Sequence, residues 1–69
     1  MFDPQNSLYN FYVGDLRIDV YRDEEWLFFI ETLGWESTLI HQVKVSELRD
    51  DPLISKHIKG SLLKILDIK

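Results

Sequence analysis

From Leu8 to Tyr21, apolar and polar side chains alternate with a period of two on either side of Gly14-Asp15, a pattern that predicts a β-hairpin. Glycine at the first central position can take the positive φ of a primed two-residue turn, and such a turn sets the register. Val13 then opposes Leu16, Phe11 opposes Ile18 and Tyr9 opposes Val20, so that these apolar side chains share one face. The other face pairs Tyr12 with Arg17, Asn10 with Asp19 and Leu8 with Tyr21, a mixed set.

Residues 23–34 read two ways. At 100° per residue Trp26, Phe29, Ile30 and Leu33 form one stripe, with Glu24, Glu25, Glu31 and Thr32 opposite, which predicts a short helix. Asp23 would cap it, the glutamates would complement its dipole, and Gly34 would suit the left-handed position after its last turn. Phe28 does not fit the stripe and fits a strand. The alternative is the third strand of a meander, entered through a turn at 22–25 that has no glycine.

Thr38 to Val45 alternates again, with Leu39, His41, Val43 and Val45 on the inner face and Ile40, Gln42 and Lys44 on the outer. Ser46 to Asp51 reads as a polar turn. Asp51-Pro52 then predicts the start of a helix, the carboxylate capping it and the proline at its first position. Ile54, Ile58, Ser61, Leu62, Ile65 and Ile68 share one helical face. Gly60 costs that helix roughly 1 kcal/mol relative to alanine. A helix stopping there, with 61–68 as a last strand, is the competing reading.

The expected architecture is therefore α+β: a small antiparallel sheet made of the N-terminal hairpin and a further strand, packed by a C-terminal helix and a short middle helix. A four-stranded β-meander followed by one helix is the alternative. Residues 1–7, with Asp3-Pro4 and Asn6-Ser7, read as a flexible tail, and residues 8–69 as a single small domain.

Composition sharpens this picture in two places. A chain of 69 residues buries only about 60% of its unfolded surface, and with no cysteine it has neither disulfides nor thiolate metal sites to help. The core or a second subunit must suffice. Charge is the other point. Residues 1–36 hold every aromatic and carry two cations against eight acids, net −6, whereas residues 37–69 carry six against four, net +2, for the total of −4. Such asymmetry marks either an interaction surface or simply strands that favour aromatics and a helix that favours Leu, Ile and Lys. The longest apolar run, Trp26 to Ile30, is far below the roughly 20 residues of a membrane span. With no basic segment followed by an apolar one at the N-terminus, the expected location is the cytoplasm.

Ser37 and His41 point the same way on a strand but lie about 13 Å apart by strand rise, too far for a nucleophile and its base. Ser55 and His57 face different directions on a helix. His41, His57 and the carboxylates form no compact metal-binding spacing, and Gly14, Gly34 and Gly60 are too scattered for a phosphate loop. No enzyme, metal or cofactor is expected. His41 on an apolar strand face reads as a semi-buried histidine bonded to a neighbour, or as a pH-sensitive group. The cations of the last helix, Lys56, Lys59, Lys64 and Lys69, read as a solvated face, with nucleic-acid binding as the minor alternative.

One constellation stands out, the outer hairpin face, where Leu8, Tyr12 and Tyr21 surround Arg17. Tyrosine and arginine beside an aliphatic is the composition that protein interfaces concentrate. The expected function is thus a small soluble protein-binding module, an adaptor, inhibitor or regulatory subunit, presenting an acidic and aromatic surface to a partner of basic character. A structural homodimer is the alternative.

Overall fold

The computed structural model describes residues 6–67. Four strands, β1 (Tyr9–Val13), β2 (Leu16–Asp23), β3 (Trp26–Leu33) and β4 (Glu36–Lys44), form an antiparallel sheet in the order β1-β2-β3-β4. A 3₁₀ helix (Val45–Asp50) and one α-helix, α1 (Lys56–Ile65), follow. This is the meander alternative, with the expected C-terminal helix and without a middle one.

Three two-residue turns build the meander, at Gly14-Asp15, Glu24-Glu25 and Gly34-Trp35. Each opens on a positive φ, +62° at Gly14, +55° at Glu24 and +63° at Gly34, as a primed turn requires. The hairpin register is the one the alternation predicts, Tyr9 opposite Val20, Phe11 opposite Ile18 and Val13 opposite Leu16. At its start the ladder slips. The Leu8 N–H donates to the Val20 carbonyl at 2.7 Å, so that Leu8 and Tyr9 both oppose Val20 in the manner of a bulge.

The helix expected over residues 23–34 is strand β3. A central strand covered on both faces carries a near-continuous apolar run, and such a run also satisfies a helical stripe. Leu27 and Phe29 face the helix side, while Phe28 and Ile30 face the opposite side, which accounts for the residue that did not fit. Glu24 provides the left-handed turn that glycine would have taken at lower cost, and the Arg22 Nε donates to the Glu24 carbonyl at 2.9 Å across it.

A bulge also interrupts β4. Phe29 opposes His41 and Ile30 opposes Leu39, which leaves Ile40 as the extra residue. Leu39, expected beside His41 on the inner face, is thereby turned to the other side, and Ile40 joins His41 in lining the space under the sheet. The expected polar turn at 46–51 is the 3₁₀ helix, whose Leu48 is wholly buried.

The last helix begins later than Asp51-Pro52 predicts. Ser55 is its cap, extended at φ −64° and ψ 154°, with its Oγ accepting the Ile58 N–H at 3.3 Å. It then runs through Gly60 to Ile65, so the strand alternative for 61–68 fails over its described part; Ile68 and the tail residues 1–5 lie outside the described residues. The core lies on one face of the sheet, where Ile18, Val20, Leu27, Phe29 and Val43 meet Leu48, Ile54 and Leu62.

Candidate functional site

The helix and the 3₁₀ segment cover only part of the core face. They close the end that carries the Glu24-Glu25 turn. The turns at Gly14-Asp15 and Gly34-Trp35 share the other end, where the core face continues outward through Val13, Leu16, Glu31 and Leu33. Val13 is 57% exposed there, Leu33 62% and Leu53, which approaches from the loop before α1, 78%. Trp35 at the turn is 95% exposed.

An open cleft of about 370 Å³ lies between this end of the sheet and the start of the helix. Phe11 and Val13 of β1, Phe29 of β3, Ile40 of β4, and Leu53 and Ile58 give it apolar walls. Its size falls within the range of natural binding clefts. The Ile40 bulge is what brings two successive residues of β4, Ile40 and His41, to its lining.

One polar pair stands at the cleft. Asp51 Oδ2 accepts a hydrogen bond from His41 Nε2 at 2.6 Å, and Asp51 Oδ1 accepts the Leu53 N–H at 2.8 Å. Asp51 is buried, while His41 is partly exposed with its ring tilted against Phe29, 5.5 Å between centroids. Burial pushes the Asp51 carboxyl up, but the hydrogen bonds from His41 and the Leu53 N–H, with the charges of His41 and Lys59, outweigh it and hold the group below its ordinary value. The pair thus ties β4 to the loop entering α1. Ser55 also lines the cleft, and its hydroxyl serves the helix start. Among the described residues no group of histidines and carboxylates has the arrangement to hold a metal ion.

The four residues expected as an interaction site on the outer hairpin face are not presented together. Tyr12 is 62% exposed. Arg17 is half-buried along the strand, its Nε 3.2 Å from Asp19 Oδ2 and its Nη2 3.2 Å from Asp19 Oδ1. That bond, the proximity of the carboxylate, and a smaller contribution from Tyr12 raise the guanidinium above its ordinary value, against a slight lowering by burial. Asp19 itself is 1% exposed and Tyr21 7%, both on the face away from the helix. Leu8, turned by its bulge, packs against the core cluster instead.

Sequence reasoning missed the open end, although Val13, Ile40 and Leu53 were each legible as apolar. No periodic signal says where a helix stops covering a sheet. On the same far face, Lys44 Nζ lies 5.6 Å from the Trp26 ring centroid, a cation–π contact. The helix lysines are spread apart: Lys59 donates to the Arg49 carbonyl at 3.1 Å, whereas Lys56 and Lys64 flank a shallow groove with His57 and Gly60. No helix among the described residues is long and apolar enough to cross a membrane. Compared with known protein families, curated proteins and solved structures, the chain finds no match in any of the three.

Proposed function

We propose that this chain is a small protein-binding module, an adaptor, inhibitor or regulatory subunit, which receives an apolar segment of its partner at the open end of the core face. The observation that carries the reading is the grouping of exposed Val13, Ile40 and Leu53 around one apolar cleft. Single exposed hydrophobics are ordinary, whereas a grouped set around a concavity is what binding surfaces have. The surroundings are acidic. Asp15 stands in one flanking turn, Glu31 and Glu36 lie beside Leu33, and residues 1–36 sum to −6. A partner with basic residues beside its apolar ones suits that field.

A symmetric dimer through this strip is less well supported, because it would set the acids of one copy against those of the other. Nucleic acid suits the helix lysines no better, since acids stand around the apolar cleft where bases could stack.

The test is selection from a random peptide library displayed on phage, followed by affinity measurement with the wild-type chain and with Leu53→Asp. Leu53 is exposed, so the variant keeps the fold. Enrichment of peptides that combine apolar with Lys or Arg positions, and that bind Leu53→Asp at least tenfold more weakly, supports the proposal. Peptides indifferent to that substitution, or no enrichment at all, reject it.

A further inference from the structure

We infer that the partner segment anchors itself with a tyrosine, its ring lying in the cleft among Phe11, Phe29 and Ile40 and its hydroxyl donating to Nδ1 of His41. This rests on the binding-module reading and names the side chain that the cleft takes.

The acceptor is fixed by the polar pair. Asp51 Oδ2 lies 2.6 Å from His41 Nε2, and Asp51 Oδ1 accepts the Leu53 N–H. A carboxylate held below its ordinary value only accepts, so the ring hydrogen sits on Nε2. In the neutral ring Nδ1 is then left with a lone pair. Among the described residues nothing donates to it, whereas every buried side-chain nitrogen or oxygen there has a partner, so Nδ1 is open to solvent. The hollow that His41 borders is this cleft.

The lining decides which donor fits. A lysine or arginine would bring its charge among Val13, Ile18, Phe29, Ile54 and Ile58, and Asp51, buried and bonded through both oxygens, does not line the cleft to pair with it. A charge desolvated without a partner is costly. A serine or threonine fills little of about 370 Å³. An indole has the bulk but can only donate. Ser55, also on the lining, accepts the Ile58 N–H with its oxygen and has its hydroxyl hydrogen to give, so the cleft offers a donor as well as an acceptor. A phenol both donates and accepts, and its ring suits walls that include Phe11 and Phe29.

The rim favours a side chain over a free phenol. Val13 and Leu53 are exposed there, and a site for a free small molecule encloses most of its surface. A tyrosine is held in place by the segment on either side of it.

The probes are N-acetyl-tyrosinamide, its phenylalanine and O-methyltyrosine counterparts and p-cresol, each titrated into the ¹⁵N-labelled chain while long-range ¹H–¹⁵N correlation follows the imidazole nitrogens of His41. Before any addition the spectrum should place the His41 hydrogen on Nε2. The tyrosine amide should then move Nδ1 and the amides of Ile40 and Leu53 saturably. It should bind about threefold or more tightly than the other two amides, the effect of one hydrogen bond, and library-selected peptides should weaken as much when their tyrosine becomes phenylalanine. A ring hydrogen on Nδ1, an Nδ1 signal that does not move, no saturable binding, or equal affinity of the three amides overturns the anchor. So does p-cresol binding as tightly as the selected peptides, which makes the cleft a small-molecule site. If those peptides depend on Leu53 but not on a tyrosine, the module reading stands while the anchor falls; if they depend on neither, both fall.

Discussion

The two ends of the core face are made by the same strands and behave as different materials. At the closed end Val20, Leu27, Leu48 and Leu62 are wholly buried, while at the open end Val13, Leu33, Ile40 and Leu53 face solvent. The apolar character of the residues is alike at both ends, so hydrophobicity does not separate them. Coverage does: α1 and the 3₁₀ helix together hold 16 residues, too few to span a four-stranded sheet from end to end. The closed end supplies the stability of a small domain. The open end is free to bind.

Substitutions of one chemistry placed at both ends put this contrast to the test, and the largest effect comes from a charge. Ile18→Asp would bury an unpaired carboxylate against Phe11 and Phe29 and is expected to unfold the chain, a loss of about 4 kcal/mol or more, whereas Val13→Asp, on the neighbouring strand and one core-face position nearer the open end, should melt within a few degrees of wild type. Circular-dichroism melts read both, and equal melting would erase the distinction between the ends.

Truncation should give a smaller version of the same split. Leu62→Ala removes a fully buried side chain under the sheet and should cost about 3 kcal/mol in urea unfolding. Leu53→Ala should stay within about 0.5 kcal/mol.

Between the two ends stands the His41–Asp51 pair, which holds the loop entering α1 against β4. Asp51→Asn is expected to cost on the order of 1 kcal/mol near neutral pH by weakening two hydrogen bonds. Because the folded carboxyl lies below its ordinary 3.8, its contribution is complete above that value and disappears as pH falls through the folded one. Wild type should therefore lose stability below about pH 4 more steeply than the variant. Parallel acid-unfolding curves would show that the fold does not hold the Asp51 carboxyl below its ordinary value.

An effect of similar size lies on the outward face of α1 and has the opposite sign. A Cβ added at Gly60 meets nothing within 4 Å, so Gly60→Ala should stabilise by about 1 kcal/mol through helix propensity. A destabilised variant would mean that packing around this helix reaches further than the closed end.

What was legible in the chain was local. The alternation around Gly14-Asp15 determined the register of the first hairpin from Tyr9–Val20 to the turn, though not the expected Leu8–Tyr21 pair, because a two-residue turn leaves only one register that puts the apolar set on one side. The amphipathic spacing of Ile58 and Leu62 likewise determined a last helix that tolerates Gly60. Tertiary structure decided the rest. Residues 26–33 suit a helical stripe and a doubly covered strand equally, and pairing with both β2 and β4 chose the strand, since it satisfies the backbone while burying both faces. Asp51 does accept the Leu53 N–H with one oxygen, as a cap would, but its other oxygen holds His41, ten residues away in sequence and adjacent only across the fold, and the helix starts at Ser55 instead. The candidate site follows the same rule. Bulges at Leu8 and Ile40 and the limited reach of one helix moved Leu8 into the core and left a cleft open beside β1, and each is a property of how elements meet, which periodicity along a chain does not encode.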